Sequence, residues 1–71
     1  MTRFLRYAME HDRKIRAVFV LEGTIVQKTV SVLAYDASSA SLRIGSKKTP
    51  VVIAMEDLLS CDYARGDHGE E

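Results

Sequence analysis

Five basic residues are the side chains of this sequence best suited to binding chemistry. Lys14 and Arg16 alternate along one face of a predicted strand, Arg43 lies on a later short strand, and Lys47 and Lys48 follow in a turn. Where such side chains converge, they neutralise phosphates and release counterions. The pattern predicts a nucleic-acid-contacting stripe, with ordinary solvated charge as the alternative. Few aromatic residues lie between these cations to stack on bases.

Groups that could catalyse a reaction are few and far apart. A nucleophile needs a base within hydrogen-bond reach, yet His11 ends a predicted helix and His68 lies in the tail. Cys61 lies in the last predicted strand and is interpreted as a small core residue. We therefore expect no catalytic site and no enzyme.

The polar tail has no preset geometry, so we expect no metal and no cofactor. Its candidate ligands are Asp67, His68, Glu70 and Glu71.

Length and composition indicate one small globular domain. The chain has 71 residues, 46% hydrophobic and 28% charged, with a single cysteine. One cysteine cannot form an internal disulfide. No apolar run approaches the roughly 20 residues of a membrane span, and no apolar segment follows the N-terminal arginines. We expect a cytoplasmic protein without a membrane partner.

Charge is divided unevenly along the chain although the formal net charge is zero. Residues 1–48 hold nine basic and four acidic residues, a net charge of +5, and residues 49–71 hold one basic and six acidic residues, a net charge of −5. This division is typical of a basic binding face, or of copies that pair acidic to basic surfaces. Mixing of the two halves in one sheet is the third interpretation.

Hydrophobic spacing predicts one helix followed by five strands. An apolar stripe of Phe4, Leu5 and Ala8, with Thr2 as N-cap, predicts a helix over residues 2–10. The strands fall within residues 13–63. Turns are predicted at Glu22-Gly23 and over 36–40, with a short strand over 41–44 after the second. Such short turns favour antiparallel neighbours. The twelve residues 24–35 are long for one strand, which indicates a sharp bend. We predict a closed, strongly bent five-stranded barrel as one domain over 1–63, with a flexible polar tail over 64–71.

The small size of the domain favours self-association. A chain of this length buries only about 60% of its unfolded surface, and neither disulfides nor a metal is expected to stabilise it. The strand over 13–21 places Ile15, Ala17, Phe19 and Leu21 on one face by period-two alternation. It is apolar on both faces in its second half, which suits a strand covered on both sides, by a helix or by another subunit. We predict a homo-oligomer whose interface includes Val18, Val20, Leu33 and Tyr35.

Residues 3–63 resemble the Sm-like small barrels. The likeness rests on a short helix before Lys14-Ile15-Arg16-Ala17-Val18 and Glu22-Gly23, a long strand ending in Tyr35-Asp36, and Leu42-Arg43-Ile44 after a five-residue gap. The stretch over 52–60 resembles the strand, one-turn crossing and final strand that end such barrels. Among these proteins, the bacterial YolD-like proteins are nearest in length and in the closing segment.

The resemblance implies a barrel of the Sm-like or SH3-like kind and an accessory role. YolD-like proteins are associated with translesion polymerase operons and DNA-damage responses. The motifs of RNA-binding Sm rings are not matched here: the long strand lacks their second glycine near Thr29, and Ser38 and Ser39 stand where their asparagine follows the turn. No Arg-Gly pair precedes Leu58, so no site residues carry over.

Together these observations predict a non-enzymatic interaction or regulatory module that self-associates and binds a protein partner, as an accessory in DNA-damage or nucleic-acid metabolism. The alternative is an Sm-like protein that binds RNA or single-stranded DNA through the basic stripe.

Overall fold

The chain adopts a mainly β architecture with one helix at its start, which confirms the predicted fold class. The computed structural model describes residues 2–45 and 47–66. Within these residues, the five strands form one antiparallel sheet. In chain order, the elements are α1 (Thr2–Glu10), β1 (Ile15–Leu21), β2 (Thr24–Tyr35), β3 (Ser39–Ile44), β4 (Val51–Ala54), a 3₁₀ turn (Met55–Asp57) and β5 (Leu58–Tyr63).

The β1–β2 hairpin follows directly from the sequence at its turn. Leu21 pairs with Thr24, so only Glu22 and Gly23 connect the strands. Both take positive φ, 52° and 78°, as the two-residue turns that match strand twist require. Glycine adopts this conformation freely, whereas a glutamate there is strained.

The inner face of the sheet carries the core. Along β1, Ile15, Ala17 and Phe19 are buried, with half-buried residues between them, as a strand with side-chain period two produces. They meet Val30 of β2 and Leu42 of β3, both fully buried. The core therefore lies on this face, where α1 contacts β2 and β5, and where β4 and the 3₁₀ turn contact β1.

Aromatic rings pack α1 against β5, a strand at the edge of the sheet. The Phe4 and Tyr63 rings are 4.9 Å apart between centroids, and Tyr7 and Tyr63 are 5.1 Å apart, both edge to face. This arrangement places the positive edge of one ring against the negative face of another. The helix ends at Glu10, and Asp12 two residues later has a φ of 51°, the left-handed conformation that often follows the end of a helix.

The sheet is open, so the predicted closure into a barrel is wrong. Strand order is β4-β3-β2-β1-β5, and within residues 2–45 and 47–66 no pairing joins β4 to β5. The four residues of β4 pair with Ser39–Leu42 of β3, and the 3₁₀ turn then carries the chain across to the opposite edge. The Met55 N–H donates to the Ser38 carbonyl at 2.8 Å. This contact holds the short β4 on the β3 side, where it does not reach β5.

The loop between β2 and β3 is organised by one carboxylate. Asp36 accepts hydrogen bonds from the backbone N–H groups of Ser38 at 2.7 Å and Ser39 at 2.9 Å. These bonds favour the charged form and lower the pKa of Asp36 below its ordinary value. Pairing starts at Ser39, two residues earlier than the turn-rich sequence predicts.

Two predictions concern the ends and environment of the chain. The predicted tail is described only as far as Gly66, and its carboxylates and His68 lie outside the described residues. In the part of the chain that the structure describes, no helix has the length and apolar character needed to cross a bilayer.

Candidate functional site

A row of polar side chains crosses three strands on the outer face of the sheet. Ser31 of β2 pairs directly with Arg43 of β3. Ile15 pairs with Val30, so Lys14, the residue before β1, lies next to Ser31 on its other side. A half-buried hydroxyl is thus flanked by two exposed cationic side chains.

The β3–β4 loop adds two more cations above this row. Lys47 and Lys48 line the same open pocket as Lys14, Ser31, Arg43 and Gly45, with a volume of about 410 Å³. The loop is fastened by backbone hydrogen bonds: Gly45 N–H donates to the Thr29 carbonyl at 3.3 Å, and Lys47 N–H donates to the Ile44 carbonyl at 3.1 Å. We call this concavity the basic pocket.

The basic pocket is positive because its lining, among the residues that the structure describes, contains four cations and no carboxylate. Among the residues that the structure describes, none of these four side chains forms an ion pair. All four are exposed, so water and salt screen their mutual repulsion. An anion that enters the pocket replaces this screening with direct hydrogen bonds, which suits the site to phosphate chemistry.

Arg16 lies apart from the pocket although it is only two residues from Lys14. Its Nε donates to the Tyr63 carbonyl at 3.0 Å, and its Nη2 contacts the Asp62 carboxylate at 3.4 Å. The pairing of β1 with β5 places Arg16 opposite Asp62. Four of the five predicted binding residues therefore meet in one place, while Arg16 is directed to β5; a binding role for any of them stays a prediction.

The four residues predicted at an oligomer interface have different surroundings. Val18 and Val20 are half-buried in β1, and Leu33 is 36% exposed. Tyr35 is half-buried and packs against the core. Their place at an interface stays a prediction.

Sequence reasoning missed both polar and apolar members of the outer surface. Ser31 and Gly45 line the basic pocket, but only strand register reveals that they do. Ile25 and Val52 are each 66% exposed; both lie in runs of β-branched residues that resemble buried strand. A turn immediately before Ile25 was the one available signal of its exposure.

Groups with catalytic or metal-binding potential are not assembled among the described residues. Burial raises the pKa of the half-buried Cys61 thiol, which disfavours the reactive thiolate. His11 is exposed and its ring lies 4.9 Å from that of Tyr7. No cluster of histidine, cysteine and carboxylate side chains suited to a metal occurs over 2–45 and 47–66.

Comparison of the chain with protein-family models, with curated proteins and with solved structures gave no match.

Proposed function

We propose that this protein is a non-enzymatic, Sm-like interaction module that associates with copies of itself and with a protein partner through the edges of its sheet. One observation carries the proposal: β4 and β5 lie at the two ends of the sheet, and each has one side without a strand partner among the described residues. Edge strands present backbone N–H and C=O groups that another strand can pair with.

The side chains on these edges favour association. Val52 of β4 is 66% exposed and Leu59 of β5 is 45% exposed, so pairing at either edge removes apolar surface from water. β4 contains no charged residue, and charged side chains are the usual means by which proteins protect an edge. Such an edge accepts a strand from a second copy or an extended segment of a partner.

The Sm-like resemblance supports the same proposal. A helix at Thr2–Glu10, a twelve-residue β2 and a one-turn crossing at Met55–Asp57 occur in the order on which that resemblance rests. The YolD-like likeness extends the proposal to an accessory role in DNA-damage or nucleic-acid metabolism. The raised pKa of Cys61 supports a non-enzymatic function, because thiol reactivity depends on the thiolate.

Sedimentation velocity at micromolar concentrations tests the edge proposal. We expect the wild type to sediment as an oligomer, and Val52→Lys to shift it to monomer, because a lysine on an edge opposes pairing. Ile25→Lys is the matched control, since Ile25 is equally exposed at 66% but lies at the β1–β2 hairpin. If only Ile25→Lys converts the oligomer to monomer, the contact between copies lies near Val18 and Val20, and the edge proposal is overturned. A wild type that stays monomeric overturns self-association.

The second candidate function is binding of a phosphate-bearing ligand, of which single-stranded RNA or DNA is the form that the sequence predicts. The convergence of four cations in the basic pocket favours it. Titration with labelled single strands at two salt concentrations tests it, because phosphate contacts release counterions and weaken with salt. Arg43→Gln should weaken binding more than Lys28→Gln, which removes an exposed cation outside the pocket.

A further inference from the structure

We infer that the basic pocket binds a compact polyphosphate group, two or more phosphates joined by anhydride bonds, and does not bind the phosphodiester backbone of a nucleic acid. The inference rests on the second proposed function and names the ligand class of that site. Its basis is that four cations line one concavity and that the described part of the lining contains no aromatic ring.

The four cations line one concavity. Lys14 and Arg43 approach from the two sides of Ser31, and the β3–β4 loop brings Lys47 and Lys48 to the same 410 Å³ concavity. Single-stranded nucleic acids are bound along grooves that follow the backbone over several nucleotides. Arg16 would have extended the row along the sheet, but it contacts Asp62 instead. The remaining arrangement matches a ligand whose negative charges are close together.

The donors in the pocket suit phosphate oxygens. An arginine guanidinium presents a planar fork that binds two oxygens at once, and each lysine supplies three donors as a compact charge. The half-buried Ser31 hydroxyl lies between two of the cationic side chains and adds a neutral donor. Adjacent phosphates of one anhydride chain present enough oxygens for all of them, whereas a lone phosphodiester has only two unbridged oxygens.

Over residues 2–45 and 47–66, no aromatic residue lines the pocket. Single-stranded nucleic-acid sites combine positive charge with rings on which bases stack, at about 1–3 kcal/mol per base. Here three of the aromatic rings are used elsewhere, since Phe4, Tyr7 and Tyr63 pack on one another beside α1. The pocket therefore recognises phosphate without recognising a base.

Gly45 keeps one side of the pocket open. Its φ is 56°, and a Cβ built there meets no atom within 4 Å. The wall that it forms is bare backbone, so a ligand can approach closely. A side chain at this position is strained by the backbone conformation even though space is available.

Isothermal titration at constant ionic strength tests the inference with defined probes. Inorganic tripolyphosphate, ATP and RNA with a 5′-triphosphate supply the same group from three sources. Inorganic phosphate and a pentanucleotide with hydroxyl ends are the comparison ligands. The pentanucleotide carries a negative charge similar to that of tripolyphosphate, but spread along a longer chain. We expect tripolyphosphate to bind at least about tenfold more tightly than either comparison ligand, a difference of about 1.4 kcal/mol.

Charge variants locate the site. Arg43→Gln should weaken tripolyphosphate binding about tenfold, as expected for a lost charge-assisted pair, and Lys47→Gln gives an independent test from the loop. Arg16→Gln and Lys28→Gln remove the same charge outside the pocket and should change affinity less than twofold. Circular dichroism checks that each variant is folded. Equal effects of pocket and control variants overturn the inference, because they indicate diffuse attraction.

The outcomes separate this inference from the function on which it rests. If the hydroxyl-ended pentanucleotide binds as tightly as tripolyphosphate and Arg43→Gln weakens it, the inference fails and the second proposed function stands. If no probe binds at any salt concentration, both fail. Tight binding of all three triphosphate ligands upholds the inference, and their order identifies which source the site favours.

Discussion

The two faces of the sheet use the same strands for different purposes. On the inner face, Ile15 and Phe19 are fully buried in the core. On the outer face, the alternate residues Arg16, Val18 and Val20 of the same strand remain partly accessible. The inner face therefore supplies stability, whereas the outer face is available for charge and for contact with other molecules. Substitutions on each face should therefore differ greatly in cost.

Phe19→Ala should be the most damaging of these substitutions. Phe19 is fully buried and among the largest core side chains, so its truncation removes apolar burial and leaves a cavity, at about 3–5 kcal/mol. Total stability is only a few kcal/mol for so small a domain. Thermal denaturation followed by circular dichroism should show a melting temperature lower by at least about 12 °C, or no folded state. A fall of less than about 4 °C would contradict the assignment of the inner face as the source of stability.

Tyr63→Leu tests the region where α1 meets the sheet. The substitution removes ring contacts with Phe4 and Tyr7 at 4.9 and 5.1 Å, each worth about 0.5–1.5 kcal/mol. We expect a loss of about 1–2 kcal/mol in the free energy of unfolding, with faster amide hydrogen exchange in α1. Tyr63→Phe keeps the ring and should remain close to wild type. Unchanged exchange in α1 would show that the helix is held by other contacts.

Alkylation of a cysteine on each face measures accessibility directly. Burial raises the pKa of Cys61, so its thiol should react slowly with iodoacetamide at neutral pH. The comparison protein carries Cys61→Ala and Ser60→Cys, which moves the thiol to an exposed position. We expect the wild-type thiol to react severalfold more slowly than the thiol at position 60. Because the pKa of Cys61 is raised in the folded protein, its contribution to the free energy of unfolding is present at low pH and is lost as pH rises through that folded pKa. Cys61→Ala should lack this alkaline loss. Equally fast labelling of the two thiols would contradict burial of Cys61.

Ile25→Thr should have the smallest effect. Ile25 is 66% exposed, and threonine keeps the β-branched shape that strands favour. We expect a change within about 0.5 kcal/mol in urea denaturation. A larger, concentration-dependent loss would show that a second copy covers this residue, and the outer face would then contribute to stability as the inner face does.

Much of the local structure was predictable because it depends on neighbours in sequence. The apolar stripe of residues 2–10 predicted α1, and the alternation through Ile15 and Phe19 predicted that these side chains share a face. Glu22-Gly23 marked the first hairpin. The strand that follows each turn could be placed in the same way, although β3 begins at Ser39, earlier than predicted.

The grouping of the cations was not predictable in this way. Lys14 and Arg16 share a face of one strand, yet Arg16 contacts Asp62, a residue 46 positions away, while Lys14 lines the basic pocket. Ser31 joined the pocket only through its pairing with Arg43. Strand register sets these neighbours, and register depends on long-range packing, which a single sequence does not display.

The amino-acid order alone determined the helix, the alternation of buried and accessible positions and the places where the chain turns, because side-chain period and turn chemistry act over a few residues. Tertiary structure alone decided that the sheet stays open at β4 and β5 and that four cations meet at one pocket. Both depend on which strands lie side by side, a choice made by burial of the inner face in one core shared by residues far apart in sequence.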